Sequence, residues 1–181
     1  MRADSVFSQP MNPSRWSFRT QFLLGFLACV ALLAYALYLE HVQGLIPCPL
    51  CTFQRGAFAL LAIVFLVGGL HAPNTRGGRG FYGILALAAA GLGISIAGRH
   101  VWLQGLPPDQ VPACGPDLGY MMEAFPMGDV VRKVLTGSGE CAKVDWTFLG
   151  LSMPAWALVW FVGLALWALY AGFKRRKSRY Y

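Results

Sequence analysis

The stretch CPLCTFQRGAFALLAIVFLVGGL, Cys48 to Leu70, decides how many times this chain crosses a membrane. Its uncharged part, Gly56 to Leu70, is 15 residues long and by itself too short to span. About 20 apolar residues, at a rise of about 1.5 Å each, cross a hydrocarbon core of about 30 Å. The run reaches that length only if its helix starts near Cys51, which carries Arg55 inside the first turns. Three other runs span unaided: Gln21 to Leu39, Gly80 to Gly98 and Pro154 to Phe173 are uncharged over 19, 19 and 20 residues. The 181-residue chain is 56% hydrophobic and only 13% charged, against roughly 25% charged in soluble domains. That apolar excess is too large to hide inside a globule of this size. The sequence predicts a single all-α membrane domain, residues 1–181, built as a bundle of four transmembrane helices at 21–39, 51–70, 80–98 and 154–173.

The net charge of +7 does not point to nucleic acid, because its placement follows the spans. Arg2, Arg15 and Arg19 precede the first, Arg76 and Arg79 lie in the 71–79 link, and Lys174, Arg175, Arg176, Lys177 and Arg179 follow the last; these are ten of the fifteen cations. The 99–153 loop carries six acids, Asp109, Asp117, Glu123, Asp129, Glu140 and Asp145, against Arg99, Arg132, Lys133 and Lys143. Positive charge collects on the cytoplasmic side. Both tails, 1–20 and 174–181, are therefore expected in the cytoplasm, and the loops 40–50 and 99–153 face outward. The basic leader and Ala34-Tyr35-Ala36 resemble a signal peptide, but the apolar run continues through Leu39 to full spanning length, which favours a retained helix.

Ala89, Gly93 and Ala97, spaced by four on the third span, form a small-residue face that a neighbouring helix can approach closely. In the long loop, Leu118, Met121, Met122 and Phe125 fall at helical spacing, as do Val130, Val131, Val134 and Leu135 after Pro126. The pattern predicts a short amphipathic helix lying on the membrane surface. Trp146 and Trp156 bracket the start of the fourth span as interfacial aromatics.

Of five cysteines, Cys29 lies mid-span, where a thiol behaves as a small apolar residue. Cys48, Cys51, Cys114 and Cys141 all fall in the outward loops, a side on which, in a bacterium, disulfides form and persist. Three chemistries compete. Zinc sites usually pair two close clips, whereas Cys114 and Cys141 are 27 positions apart, so no metal is expected. Two static disulfides bracing the loops would also fit the spacing. Redox exchange is favoured because C-x-x-C at a helix start meets the positive end of the helix dipole, with Arg55 one turn further on the same face. A charge inside a span is expensive and marks a functional site unless it snorkels to the interface. His100, just past the third span, can reach the same membrane depth as Cys51 and Arg55.

Taken in order, Cys48-Pro49-Leu50-Cys51 with Arg55, Arg99-His100, Cys114, and Cys141 leading into Trp146-Thr147-Phe148-Leu149-Gly150-Leu151-Ser152-Met153-Pro154 resemble the disulfide bond formation protein B (DsbB) family. These are inner-membrane thiol:quinone oxidoreductases, and the resemblance covers nearly the whole chain. It implies a relay in the bacterial inner membrane. Cys114–Cys141 would oxidise a DsbA-like periplasmic dithiol protein that attacks Cys114. Electrons would pass to Cys48–Cys51, with a Cys48–Cys141 disulfide as intermediate. Cys51 would then reduce a membrane quinone, ubiquinone or, without oxygen, menaquinone, with Arg55 polarising a quinone oxygen and His100 and Met153 lining the pocket. Gln54 stands where some members carry an acid. Two other readings are a relative of vitamin K epoxide reductase, whose loop cysteines precede its C-x-x-C, and a non-catalytic scaffold braced by two disulfides.

Overall fold

A computed structural model describes residues 16–113, 118–137, 139–144 and 146–174. Each of the first three long helices opens at a residue whose side chain accepts a free backbone N–H. Ser17 receives the Thr20 amide at the start of α1 (Phe18–His41), Cys48 that of Cys51 before α2 (Pro49–His71), and Thr75 that of Gly78 before α3 (Arg76–Gln104). Such caps satisfy donors that a helix start otherwise leaves unpaired. Pro49 occupies the first turn of α2, where its missing N–H costs nothing. The long loop folds into three short helices, α4 (Leu118–Ala124), α5 (Met127–Thr136) and α6 (Gly139–Ala142). A hairpin, β1 (Thr147–Phe148) with β2 (Leu151–Ser152), runs directly into α7 (Met153–Phe173).

The four long helices α1, α2, α3 and α7 are each long and apolar enough to cross a membrane. With α2 beginning at Pro49, its 23 residues extend about 34 Å at about 1.5 Å each, so the short fourth run does belong to a spanning helix. Helix and apolar run do not coincide on α3. Helical backbone continues past Gly98 to Gln104, so Arg99 and His100 stand on a rigid helix end rather than in the loop.

Aromatic rings laid into glycine gaps join the helices. A methyl added at Gly93 would fall 2.3 Å from the Phe161 ring of α7, so the small-residue face of α3 is the slot that admits Phe161. On its other side Phe161 stacks on Phe58 of α2, ring centroids 3.9 Å apart and planes at 13°. One ring thus fastens three helices. Phe22 of α1 meets Phe65 of α2 edge-on at 5.2 Å, over Gly25 and Gly68, whose missing side chains leave room for the two rings.

The loop stripe differs from its sequence expectation. Pro126 divides it into two helices, and Met121, Val130 and Val134 are buried against Leu50 of α2, Ile96 and Leu103 of α3, and Cys141 of α6. Protein, rather than a lipid surface, covers this part of the stripe. The extra turns of α3 supply the shelf: Leu103 lies beyond the apolar run and is fully buried. Met122 and Val131 remain on the open side; the side chains of Leu118 and Leu135 lie outside the described residues. The hairpin was not anticipated. Its two turn residues, Leu149 and Gly150, have φ of 51° and 79°, the left-handed pair a two-residue hairpin turn requires.

Gly93→Ala is expected to destabilise the bundle by about 1–3 kcal/mol, the usual cost of overpacking. Gly91→Ala, where a methyl meets nothing within 4 Å, is the control and should be neutral or slightly stabilising. Thermal unfolding in detergent separates the two; equal effects would refute the Phe161 slot.

Candidate functional site

The first turn of α2 builds the centre of the site. Cys48 is the N-cap, with φ −68° and ψ 162°, and its Sγ accepts the Cys51 amide at 3.4 Å. Three residues on, the Cys51 side chain returns to the same face, and the two sulfurs stand 3.2 Å apart. A disulfide needs about 2.05 Å, so closing the bond takes a movement of roughly 1 Å. The positive end of the α2 dipole lies at these sulfurs and favours whichever is ionised.

Two further elements converge on Cys48. His100, on the last turns of α3, is buried, with Nε2 3.8 Å from Cys48 Sγ and 3.1 Å from the backbone carbonyl of Cys141. The sulfurs of Cys48 and Cys141 and a ring nitrogen of His100 all lie within 4.8 Å of one another. Three such atoms are close enough to share a metal ion. As posed, however, Nε2 faces a carbonyl, which can only accept, and so presents a hydrogen there rather than a lone pair. On the other side of the ring, Nδ1 meets the buried amide of Gln54 at 3.1 Å.

Arg55 does not simply run out to water. Its Nη1 is ion-paired with Glu40 at the end of α1, and its Nη2 donates to the Ala36 carbonyl at 3.1 Å. Glu40 escaped the sequence reading, although a cation entering a span calls for a counter-charge and Glu40 is the one acid in the 40–50 loop. The pair lies across two helices, and each is fixed by the other.

Two hollows meet at this point. A cleft of about 70 Å³ is lined by Cys48, His100, Glu140 and Lys143, and a larger, mainly apolar cavity of about 380 Å³ by Leu32, Tyr35, Phe58, Phe148, Trp156 and Trp160. Cys51, Arg55, Met153 and Trp146 line both. Cys48 and His100 line the cleft only. Met153, first residue of α7, is held there because Ser152 donates to Gln104 Oε1 at 2.6 Å, tying the start of α7 to the end of α3. Trp146 stands edge-on to Tyr35 at 6.4 Å and stacks near Phe148, and Trp156 Nε1 donates to the Phe148 carbonyl at 3.0 Å. The two tryptophans expected as interfacial brackets are thus parts of a cavity wall. The hairpin turns Phe148 into it.

A family model described as "Disulfide bond formation protein DsbB" matches residues 18–171. The chain belongs to the DsbB family. Similar proteins named "Disulfide bond formation protein B" occur in Xanthomonas campestris pv. campestris, 62% identical over 169 residues, and in Xylella fastidiosa, 50% identical over 169 residues. Each alignment covers 93% of this chain and 98% of the relative. A 61% identical relative is found in Xanthomonas euvesicatoria pv. vesicatoria. This DsbB-family protein is accordingly an oxidoreductase of disulfide formation in a membrane.

Of the residues singled out in the sequence, Cys48, Cys51, Arg55, His100 and Met153 line the two hollows, and the buried Cys141 has its sulfur within 4.8 Å of that of Cys48. Cys114 lies outside the described residues. Cys29 is buried in the main core as an apolar side chain. Gln54 was noted only for what it lacks, yet it is the partner of His100.

In a protein carrying Cys51→Ser and Cys114→Ser, mild oxidation should join Cys48 to Cys141 within one chain, since their sulfurs already lie within 4.8 Å. Peptide mass mapping reads the product. If only intermolecular dimers form, the juxtaposition is wrong.

Proposed function

We propose that this protein takes two electrons from a DsbA-like periplasmic dithiol protein and passes them through two cysteine pairs to a membrane quinone. It would do so in a bacterial inner membrane, with both termini cytoplasmic and both cysteine loops periplasmic. The observation that carries this reading is the shared wall: Cys51 and Arg55 line both the smaller cleft, which also holds Cys48, and the larger apolar cavity, while the Cys141 sulfur lies within 4.8 Å of that of Cys48.

The steps balance as thiol exchange. The partner's thiolate attacks Cys114, freeing Cys141 as a thiolate; its second thiol then resolves the mixed disulfide and leaves oxidised. Cys141 attacks Cys48 and expels Cys51 as a thiolate. Cys114 then attacks Cys141, restoring the loop disulfide and leaving Cys48 and Cys51 reduced. Cys48 and Cys51 would rejoin as a disulfide as their electron pair and two protons pass on, and a bound quinone would supply the two-electron, two-proton acceptor. The cavity fits such a group: its walls are flat aromatic rings and leucines, its volume of about 380 Å³ suits a small ring, and pockets of this order are typical of small-molecule sites. Arg55, a guanidinium cation, stands at the Cys51 end, where it can donate to a carbonyl oxygen that is gaining negative charge. Glu40 and Ala36 keep its side chain from turning away. Ubiquinone is the acceptor in this reading, with menaquinone as its anaerobic substitute. Trp146, Trp156 and Met153 wall the cavity on the α7 side.

The vitamin K epoxide reductase reading is disfavoured by cysteine order, since here the C-x-x-C comes first. A braced scaffold would hold fixed disulfides; thiol trapping during turnover distinguishes it, because a relay changes state with quinone supply.

Reconstitution of the full-length protein with a reduced DsbA-type protein and ubiquinone should give quinone reduction matched one to one with partner oxidation. Cys114→Ser should abolish partner oxidation, and normal turnover by that variant would sink the assignment. Arg55→Ala should raise the quinone concentration for half-maximal rate by about tenfold, equivalent to ~1.4 kcal/mol. An unchanged quinone dependence would leave Arg55 a structural ion-pair member only.

A further inference from the structure

Two consecutive residues at the end of α3 each hold a carbonyl of the segment that bears Cys141. Arg99 Nη2 donates to the Thr136 carbonyl at 2.9 Å, and His100 Nε2 donates to the Cys141 carbonyl at 3.1 Å. A carbonyl oxygen only accepts, so Nε2 carries the hydrogen; in a neutral ring Nδ1 is then the acceptor, and the Gln54 amide 3.1 Å away is its donor. Gln54 is 5% exposed and His100 2%, and Gln54 also forms part of the wall of the larger cavity. A continuous chain of hydrogen bonds therefore runs from α2 through α3 to α6, beside Cys48.

We propose that Gln54 is a positioning residue for electron transfer between the two cysteine pairs: it holds His100 as the neutral ring with hydrogen on Nε2, and that ring holds Cys141 within reach of Cys48. The inference rests on the relay reading above. In the step it serves, the Cys141 thiolate attacks Cys48 Sγ; the Cys48–Cys141 bond forms, the Cys48–Cys51 bond breaks, and the electron pair leaves on Cys51 as a thiolate. No outside oxidant enters. The attacking and attacked sulfurs lie within 4.8 Å, against about 2.05 Å in the bond to be made. A misplacement of about 1 Å in such a step can cost about a hundredfold in rate. The opposite neutral tautomer would set a lone pair against the Cys141 carbonyl and release it. With its amide nitrogen set toward Nδ1, Gln54 favours the tautomer in which Nδ1 accepts; it could serve the other only by turning its amide over to present the oxygen. An apolar side chain at position 54 would favour neither.

The test uses the full-length protein in lipid nanodiscs and compares two rates. One is oxidation of a reduced DsbA-type protein, which must pass from Cys141 to Cys48. The other is quinone reduction driven by dithiothreitol in a Cys114→Ser, Cys141→Ser background, which reaches Cys48–Cys51 directly. Their ratio, each rate scaled to folded protein, isolates the loop-to-helix step. Gln54→Leu should lower the ratio by about tenfold or more. Gln54→Glu keeps a polar partner but accepts from Nδ1–H, converting His100 to an imidazolium that still donates to the Cys141 carbonyl. It should keep the ratio within about threefold of wild type. It should also shift the rise of partner oxidation with pH toward lower pH, because the imidazolium stabilises the Cys141 thiolate. The other titratable groups around His100 are Cys48 and Cys51 from α2, with Arg55, Glu140 and Lys143 lining the same cleft; none is altered by these substitutions. A Gln54→Leu ratio equal to wild type, or a Gln54→Glu profile that overlays the wild type, overturns the proposal. Failure of the relay reading looks different: the wild-type protein itself would not oxidise the partner.

Discussion

Everything in this structure follows from a helix that must cross a bilayer with too few uncharged residues. Gly56 to Leu70 is 15 residues long, so α2 has to begin at Pro49, and the span draws two thiols and an arginine down to the lipid boundary. Water is scarce there, which makes an unpaired charge costly and a well-aimed one effective. The same N-terminal turn that completes the span stacks Cys48 over Cys51 and points the helix dipole at them.

The cost of the arginine is met locally. Glu40 and the Ala36 carbonyl, both on α1, take two of its nitrogens, so the guanidinium is oriented as well as neutralised. A half-buried pair of this kind contributes little net stability, because desolvation offsets the Coulomb attraction. Its value is geometric: it keeps Arg55 on the wall shared by the smaller cleft and the apolar cavity, next to Cys51. Cys48 lines the cleft alone. Of the two sulfurs of one helical turn, Cys48 thus faces only the cleft and Cys51 faces both hollows.

The long loop is organised by α3 more than by lipid. Continuing past its apolar run, α3 offers Leu103 as a shelf for Val130 and Val134 and offers Arg99 and His100 as hands for two loop carbonyls. That combination of apolar burial and directed hydrogen bonds sets Cys141 beside Cys48. Aromatic residues from the hairpin and α7 complete the other side, enclosing the cavity against α1.

Four apolar spans, their order and the exceptional Arg55 were legible in the residues alone, because hydrophobic length and charge placement are local and additive along a chain. The family resemblance was legible too, since Cys48–Cys51, Arg99-His100 and the Trp146–Pro154 motif are contiguous signatures. Partnerships were not. Glu40 with Arg55, and Gln54 with His100, join residues on different helices, and the loop stripe carried the same periodicity whether lipid or protein was to cover it. Periodicity states which face is buried and not against what. Only the packing of four helices around the Phe161 slot, by setting the depth and rotation of each helix end, decided which side chains would meet at the C-x-x-C.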